Sequence, residues 1–208
     1  MLTLDPNDIS AWRNASKLYY ELNKYDEAVK AYKFVFKHNP SDISAALNLA
    51  MLLEANKKTL SSAVEVYMEC FQQNPFCTII LKQIYRITGN NRYIPYIISA
   101  TKIKDYKLKN HKLTLIGDIS SKGRITYKYI LLLYENGNIE PLYYVSLEDN
   151  TLYNSFGGPP YFLCAFTDKG HVNFGGVDNS SKEFFIKQAF IIISSNFNDI
   201  KEELAKIS

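Results

Sequence analysis

Residues 12–40 read WRNASKLYYELNKYDEAVKAYKFVFKHNP, and this stretch decides the fold of the first half of the chain. Its apolar residues recur at steps of three and four, which is the spacing of one face of an α-helix. The first face consists of Ile9, Trp12, Ala15, Leu18, Tyr19 and Leu22, and the second of Ala28, Ala31, Tyr32 and Val35. Asp8 is placed to cap the first helix, and Pro40 should end the second near His38 or Asn39, because proline restricts the residue before it. The stretch therefore predicts two amphipathic helices joined as a hairpin.

The pattern restarts after Pro40. Pro40 and Pro75 lie 35 residues apart, and small and aromatic residues recur between them at comparable offsets, namely Ala46, Leu53, Ala63 and Tyr67. A self-similar period in the mid-thirties is typical of a helix-turn-helix solenoid. A single amphipathic hairpin is the alternative, but it has no reason to restart in the same register.

A weaker third pair of helices follows Pro75. Its first helix is expected to run from Ile79 to Ile87 and to turn at Gly89, and its second to contain Tyr93, Ile97, Ile98 and Ala100. Terminal units of repeat arrays are often atypical. Residues 9–104 are thus predicted to form about six antiparallel helices in three hairpins, and residues 1–105 to form one helical domain.

Three segments within the first hairpin carry a family resemblance: Trp12–Tyr19, Asn23–Ala28 and His38–Pro40. Together they resemble a tetratricopeptide repeat (TPR). The resemblance is specific there and weaker downstream, and it covers roughly the first half of the chain. It implies an α-solenoid that serves as a scaffold for binding other proteins.

The resemblance also implies a binding groove, since the first helix of each tetratricopeptide unit lines the concave face. The residues expected in this groove are Arg13, Lys17, Asn48, Lys82 and Arg86. They look like the clamp with which some chaperone-binding arrays hold the terminal carboxylate of a peptide. Lys17 departs from that clamp, which has an asparagine there, and Lys82 and Arg86 match only if their helix is shifted by about one turn. A solvated face of basic side chains is the alternative.

The chain begins with Met1–Asp8, which reads like the tail of a preceding repeat whose closing proline is Pro6. This start provides no polar capping helix. We therefore expect either a longer native protein or an open first hairpin whose face meets another surface, such as a second copy of the chain.

The second half, residues 106–208, has a different pattern. A strand is expected at His111–Ile116, and two hairpins follow, with turns at Asn136-Gly137 and at residues 168–170. Asn-Gly is a strong signal for a type I′ turn, in which both central residues need positive φ. The flanking strands are expected at residues 124–135, 139–147, 161–167 and 171–174.

A C-terminal helix is expected to begin after Ser180 or Ser181, with Glu183 placed for a capping box. Its end, Ile191–Ile193, is β-branched and has a buried strand as the alternative. A short amphipathic helix should follow from Phe197 to Ile207. The second half is therefore predicted to be an α+β domain, an antiparallel sheet of about five strands packed by C-terminal helix.

Composition excludes several classes of function. With 208 residues, 47% hydrophobic and 22% charged, the chain is expected to be globular with two modest domains. A net charge of +3 is too small to argue for nucleic acid. The three cysteines form no close metal-type pair, which favours a reducing compartment, and no run is apolar enough for a membrane span. A cytoplasmic location is the expectation.

Candidate chemistry is sparse. The three histidines are His38 at a helix end, His111 in the linker and His171 after a hairpin turn. Cys164 and His171 are possible neighbours as a nucleophile and base, with a buried cysteine beside an exposed histidine as the alternative. The loop 157–160 lacks the residues of a phosphate loop.

Tyrosines are abundant in the second half, at positions 127, 129, 134, 143, 144, 153 and 161. Such residues can stack RNA bases on an open sheet, but cross-strand packing is the favoured alternative because this half is neutral overall.

No catalytic, metal or cofactor site is expected from these patterns. The predicted function is a non-catalytic adaptor that binds an acidic or extended protein segment in the helical groove. The alternative is an enzyme or effector with its activity in residues 106–208, targeted by the repeats.

Overall fold

The computed structural model of the chain describes residues 8–55, 57–89, 97–121, 125–138, 140–167 and 170–207. The chain divides into two compact units, Met1–Asn91 and Arg92–Ser208. This division lies earlier than the expected boundary between residues 105 and 106, because the sheet of the second unit already begins at Ile97. The units are described separately below.

The first unit is helical. Its helices are α1 (Ile9–Glu21), α2 (Tyr25–His38), α3 (Ile43–Glu54), α4 (Leu60–Gln73) and α5 (Thr78–Thr88), with a short 3₁₀ turn at Lys57–Thr59. Each helix packs against the next one in the sequence. The first two predicted hairpins are confirmed, and Pro40 and Pro75 follow directly on the residues that end α2 and α4.

The helix ends recur from one hairpin to the next. The Asp8 side chain accepts a hydrogen bond from the backbone N–H of Ala11 at 2.9 Å, and that of Asp42 accepts one from Ala45 at 3.0 Å. Each bond satisfies one of the four unpaired N–H groups at a helix start. Equivalent aspartates therefore begin α1 and α3, which explains why the pattern restarts in register.

The interior of the first hairpin is built from the small and aromatic residues of α2. Ala28 and Tyr32 are buried, and the half-buried Trp12 stacks on Phe34 with ring centroids 4.7 Å apart. Leu18 and Leu22 differ from expectation, since they are 44% and 55% exposed. The face of α1 that packs on α2 contains Ala15 and Ser16, and Leu18 lies to one side of that face.

The predicted third hairpin is wrong in its second helix. Ile97, Ile98 and Ala100 lie in a β-strand, while Tyr93 falls outside the described residues. Helix α5 ends at Thr88 and is followed by Gly89 with φ of 81°. A short run with several β-branched residues satisfies helical and extended spacing equally well, and only pairing with a distant strand decides between them.

The second unit contains one antiparallel sheet. Within the described residues, six strands follow one another in the order β1 to β6, each paired with the next. Their bounds are β1 (Ile97–Lys107), β2 (His111–Ser121), β3 (Tyr127–Glu135), β4 (Pro141–Asp149), β5 (Tyr161–Thr167) and β6 (Gly170–Val177). The predicted antiparallel sheet is confirmed. Strand β1 occupies the place of the second helix predicted for the third hairpin. The strand expected at His111–Ile116 is confirmed as the first part of β2, so His111 belongs to the sheet and not to the linker.

The turn between β3 and β4 differs from the predicted type I′ turn. Gly137 has φ of 87°, but Asn136 does not have positive φ. The backbone N–H of Asn138 bonds to the Glu135 carbonyl at 3.1 Å, so residues 135–138 form a turn with positive φ at its third position only, as in type II. Ile139, the expected first residue of the strand after the turn, falls outside the described residues, and Tyr134 pairs with Pro141.

The remaining helices are α6 (Tyr153–Phe156), α7 (Lys182–Asn196) and α8 (Lys201–Ile207), with a 3₁₀ turn at Asn198–Ile200 between the last two. Ser181 caps α7 by accepting from the Phe184 N–H at 3.3 Å, so Glu183 lies one residue too early for a capping box. Ile191–Ile193 lie within α7, which confirms the helical prediction for that segment.

The two faces of the sheet are both buried at its centre. One face, with Leu115, Leu131 and Val145, packs against Phe185 and Phe190 of α7 and Leu204 of α8 in a continuous apolar core. The opposite face presents Ile116, Ile130, Leu132, Tyr144, Ser146, Glu148, Cys164 and Phe166, all nearly inaccessible to solvent. Polar side chains on this second face need partners there, since burying them unpaired is costly.

Among the described helices, none combines the length and apolar character required to cross a membrane.

Candidate functional site

Arg13, the first residue of the predicted groove, lies on α1 and forms an ion pair with Asp42. Asp42 is the residue that caps α3, and its side chain is only 8% exposed. Arg13 therefore connects the first helix of one hairpin to the first helix of the next. Its guanidinium has a carboxylate partner within the chain.

Arg86, at the other end of the predicted groove, is held in the same way. Its Nη2 lies 2.5 Å from the Glu54 carboxylate at the end of α3, and its Nε donates to Gln83 at 2.9 Å. The Tyr67 hydroxyl donates to the same carboxylate at 2.9 Å. Burial, followed by this hydrogen bond to Glu54, raises the pKa of Tyr67. Arg86, Glu54 and Tyr67 thus form one network that joins α3, α4 and α5.

Asn48 lies half-buried in α3, where its side chain hydrogen-bonds to Tyr32 of α2. Tyr32 is also hydrogen-bonded to Ser16 of α1. Burial is the main cause of the raised pKa of Tyr32, and these two hydrogen bonds oppose it. Tyr32 and Tyr67 occupy equivalent positions of α2 and α4, and each hydroxyl joins side chains of neighbouring helices. Asn48 therefore has a structural partner.

Lys17 and Lys82 are the two remaining groove residues, and both are exposed. Lys17 lies one turn after Arg13 on α1, and Lys82 lies one turn before Arg86 on α5. Residues four apart share one face of a helix. The ion pairs of Arg13 and Arg86 with α3 therefore place both lysines on helix faces that border α3.

A separate cleft with a volume of about 320 Å³ is lined by residues of α2, α3 and α4. Phe36, Leu49 and Leu53 form its apolar floor. Lys33 and Lys37 of α2 line one wall, and Glu65 and Glu69 of α4 line the opposite wall. No sequence pattern indicated this cleft. It lies between the second helices of the hairpins, whereas the predicted groove lies along the first helices.

In the second unit, the sheet brings together a cluster of polar side chains, of which the sequence indicated only Cys164 and His171. Cys164 of β5 pairs with Ser146 of β4, and Phe166 pairs with His171 of β6. Paired residues share a face, as do residues two apart along a strand. Ser146, Glu148, Cys164 and His171 consequently project from the same face of three neighbouring strands.

Glu148 is the centre of this cluster. Its Oε1 accepts a hydrogen bond from the Ser146 hydroxyl at 2.8 Å and lies 3.1 Å from Nε2 of His171. The Cys164 thiol lies close to this carboxylate. Ligand-type atoms of Glu148, Cys164 and His171 all lie within 4.8 Å of one another. Three side chains therefore converge on one buried carboxylate.

The arrangement does not match a cysteine-histidine catalytic pair. Burial, and secondly the neighbouring Glu148 carboxylate, raise the pKa of the Cys164 thiol. The thiolate is the nucleophilic form, so a raised pKa disfavours nucleophilic catalysis. His171 faces Glu148, and its ring lies tilted against that of Phe166, with ring centroids 4.9 Å apart. The cluster is a carboxylate with donors around it.

Glu148 and Ser146 were missed because a strand residue gives no local sign of its neighbours across the sheet. The available signal was the alternation in β4, where Ser146 and Glu148 are two apart and flank the apolar Leu147. Two polar residues on one face of an otherwise apolar strand indicate a partner on the adjacent strand. The sequence indicated that Cys164 and His171 are possible neighbours, but it does not specify on which face of the sheet each side chain lies.

The sheet tyrosines are used for packing. Tyr127, Tyr134, Tyr143 and Tyr144 are all buried. Tyr127 and Tyr144 both lie against Phe166, with ring centroids 6.2 and 6.1 Å apart, and Tyr143 lies edge-on to Phe197. These four rings are buried, so they do not form an open surface for stacking bases.

Comparison with known proteins adds no relative, since no protein-family model matches the sequence and no curated protein matches it either.

Proposed function

We propose that the helical unit is a non-catalytic, tetratricopeptide-like binding module that takes an acidic or extended peptide segment along its first helices. The observation that carries this proposal is the chemistry of the surface along α3. It holds two carboxylates of the chain's own, Asp42 and Glu54, through Arg13 and Arg86. Exposed Lys17 and Lys82 extend the same basic chemistry to solvent.

The proposal assigns different roles to the five groove residues. Arg13, Arg86 and Asn48 have partners within the helices, so they position the helices and shape the surface. Lys17 and Lys82, whose side chains are exposed on the faces that border α3, supply the contacts to the peptide on the ground of that exposure and their charge. Charge-assisted hydrogen bonds contribute roughly 1.5–3 kcal/mol each when partly desolvated, so two of them provide useful affinity for a short peptide.

The experiment measures binding of fluorescent decapeptides by anisotropy. The peptides differ in the number of Asp and Glu residues and carry either a free or an amidated C-terminus. We expect affinity to rise with acidic residues and to fall with salt, because exposed charge pairs are screened. A difference between free and amidated peptides reports recognition of the terminal carboxylate.

The diagnostic variant is Lys17→Glu with Lys82→Glu. It should lower the affinity for acidic peptides at least about tenfold, equivalent to about 1.4 kcal/mol of binding free energy. Lys24→Glu with Lys30→Glu is the matched control. These two lysines are also exposed, and replacing them makes the same charge change elsewhere in the unit. Reversal of Arg86 is a poor test, because it breaks the contact with Glu54. Equal weakening by both double variants would mean that net charge, and not the groove, controls binding.

A further inference from the structure

We propose that Glu148, Cys164 and His171 form a binding site for one divalent transition-metal ion of the zinc type. The three side chains come from three consecutive strands, β4, β5 and β6, and offer one oxygen, one sulfur and one nitrogen. Thiolate, imidazole and carboxylate are the three protein ligand types that zinc uses. The inference is independent of the peptide-binding function proposed for the helical unit.

The separation of the ligand atoms suits a tetrahedral ion. Bonds of about 2.0–2.3 Å to zinc place neighbouring ligand atoms about 3.3–3.6 Å apart. Nε2 of His171 and Oε1 of Glu148 are already 3.1 Å apart, and all three ligand atoms lie within 4.8 Å of one another. A side-chain movement of about an ångström, which rotation of the Glu148 and His171 side chains provides, brings all three ligand atoms to bonding distance from one ion.

Charge balance favours the same assignment. A divalent ion with one thiolate, one carboxylate and a neutral imidazole gives a neutral complex, which is the form that tolerates burial. The Cys164 residue is 1% exposed, and the side chain of Glu148 is 8% exposed. On binding, the ion displaces the proton of the Cys164 thiol, which is released to solvent, so that the sulfur binds as the thiolate and Glu148 stays ionised.

The surroundings provide orientation and access. The Ser146 hydroxyl donates to Glu148 at 2.8 Å and so fixes its carboxylate, as outer-shell partners of metal ligands commonly do. The His171 side chain is 31% exposed, which opens the site to solvent on one side. Three protein ligands leave the fourth tetrahedral position for water or for an oxygen or nitrogen ligand from outside.

The test titrates the full-length, chelator-treated protein with Co²⁺, which reports its ligands by absorption where Zn²⁺ is silent. We expect one Co²⁺ per chain, a thiolate-to-cobalt charge-transfer band, and displacement of the cobalt by Zn²⁺. Cys164→Ser should abolish the band. His171→Gln should weaken binding by more than about tenfold, and Ser146→Ala by about tenfold, the usual range for an outer-shell partner.

Two controls remove one thiol and one histidine that lie outside this site. Cys77 is the residue before α5 and makes no side-chain capping bond, so Cys77→Ser removes a thiol at a position where serine is well tolerated. His38→Gln removes an exposed histidine of α2. Both should bind Co²⁺ like the wild type. A band that persists in Cys164→Ser and disappears in Cys77→Ser overturns the proposal.

A measurement on the wild-type protein covers the case in which a variant fails to fold. X-ray absorption of the zinc-loaded chain should show one sulfur at about 2.3 Å and two or three nitrogen or oxygen neighbours at about 2.0–2.2 Å. A shell with two sulfurs, or with none, contradicts the assignment.

Discussion

At the scale of single residues, polar side chains in this protein have partners that their sequence neighbours do not reveal. Asp42 caps α3 and pairs with Arg13, and Glu148 accepts from Ser146 while facing His171. The sequence predicts which residue types carry charge and where helices begin. It does not predict which distant side chain meets them, because that depends on tertiary packing.

The residue-scale prediction concerns Gly137, whose φ of 87° favours glycine. A Cβ there would meet no other atom, so the effect of substitution is backbone strain alone. Gly137→Val should lower the free energy of unfolding of the second unit by about 1–3 kcal/mol. Denaturant unfolding followed by far-ultraviolet circular dichroism measures it.

Asn138→Val is the control for this substitution. It places the same β-branched side chain at the next exposed position, which lacks positive φ, and removes one exposed hydrogen bond to Glu135, so it should change stability by about 0.5 kcal/mol, less than Gly137→Val. Equal effects of the two variants would show that strain at Gly137 is not the cause.

At the scale of elements, helix boundaries were predictable and the identity of one strand was not. Pro40 and Pro75 end α2 and α4, and Asp8 caps α1, as local physical chemistry requires. Residues 97–104 were expected to be helical and instead form the first part of β1. The backbone of β1 finds its hydrogen-bond partners in β2, with several irregularities of register, and this non-local pairing leaves no local signature.

The element-scale prediction compares the two equivalent helix caps. Asp42→Ala removes a cap and the partner of Arg13 at a largely buried position, and should destabilise the helical unit by about 1–2 kcal/mol. Asp8→Ala removes an exposed cap at the start of α1 and should cost less, about 0.5–1 kcal/mol. Thermal unfolding of both variants checks the order, and a larger loss for Asp8→Ala would contradict the assigned role of Asp42.

At the scale of the whole molecule, the chain combines a helical unit with an antiparallel sheet backed by C-terminal helices. The sequence predicted this order of secondary structure from helical periodicity in the first half and hairpin signals in the second. The groove residues were predicted from a family resemblance. The structure adds that two of them, Arg13 and Arg86, form ion pairs within the chain. The cluster around Glu148 required the sheet register, which no local pattern specifies.

The central claim is that an acidic peptide lies along the first helices of the helical unit, against Lys17 and Lys82. Carbodiimide cross-linking of a bound acidic decapeptide, followed by peptide mass spectrometry, tests it most directly, because the reagent joins a carboxylate only to an amine in contact with it. We expect cross-links at Lys17 and Lys82. Cross-links confined to Lys33 and Lys37 of the separate cleft, or to lysines of the sheet unit, would contradict it.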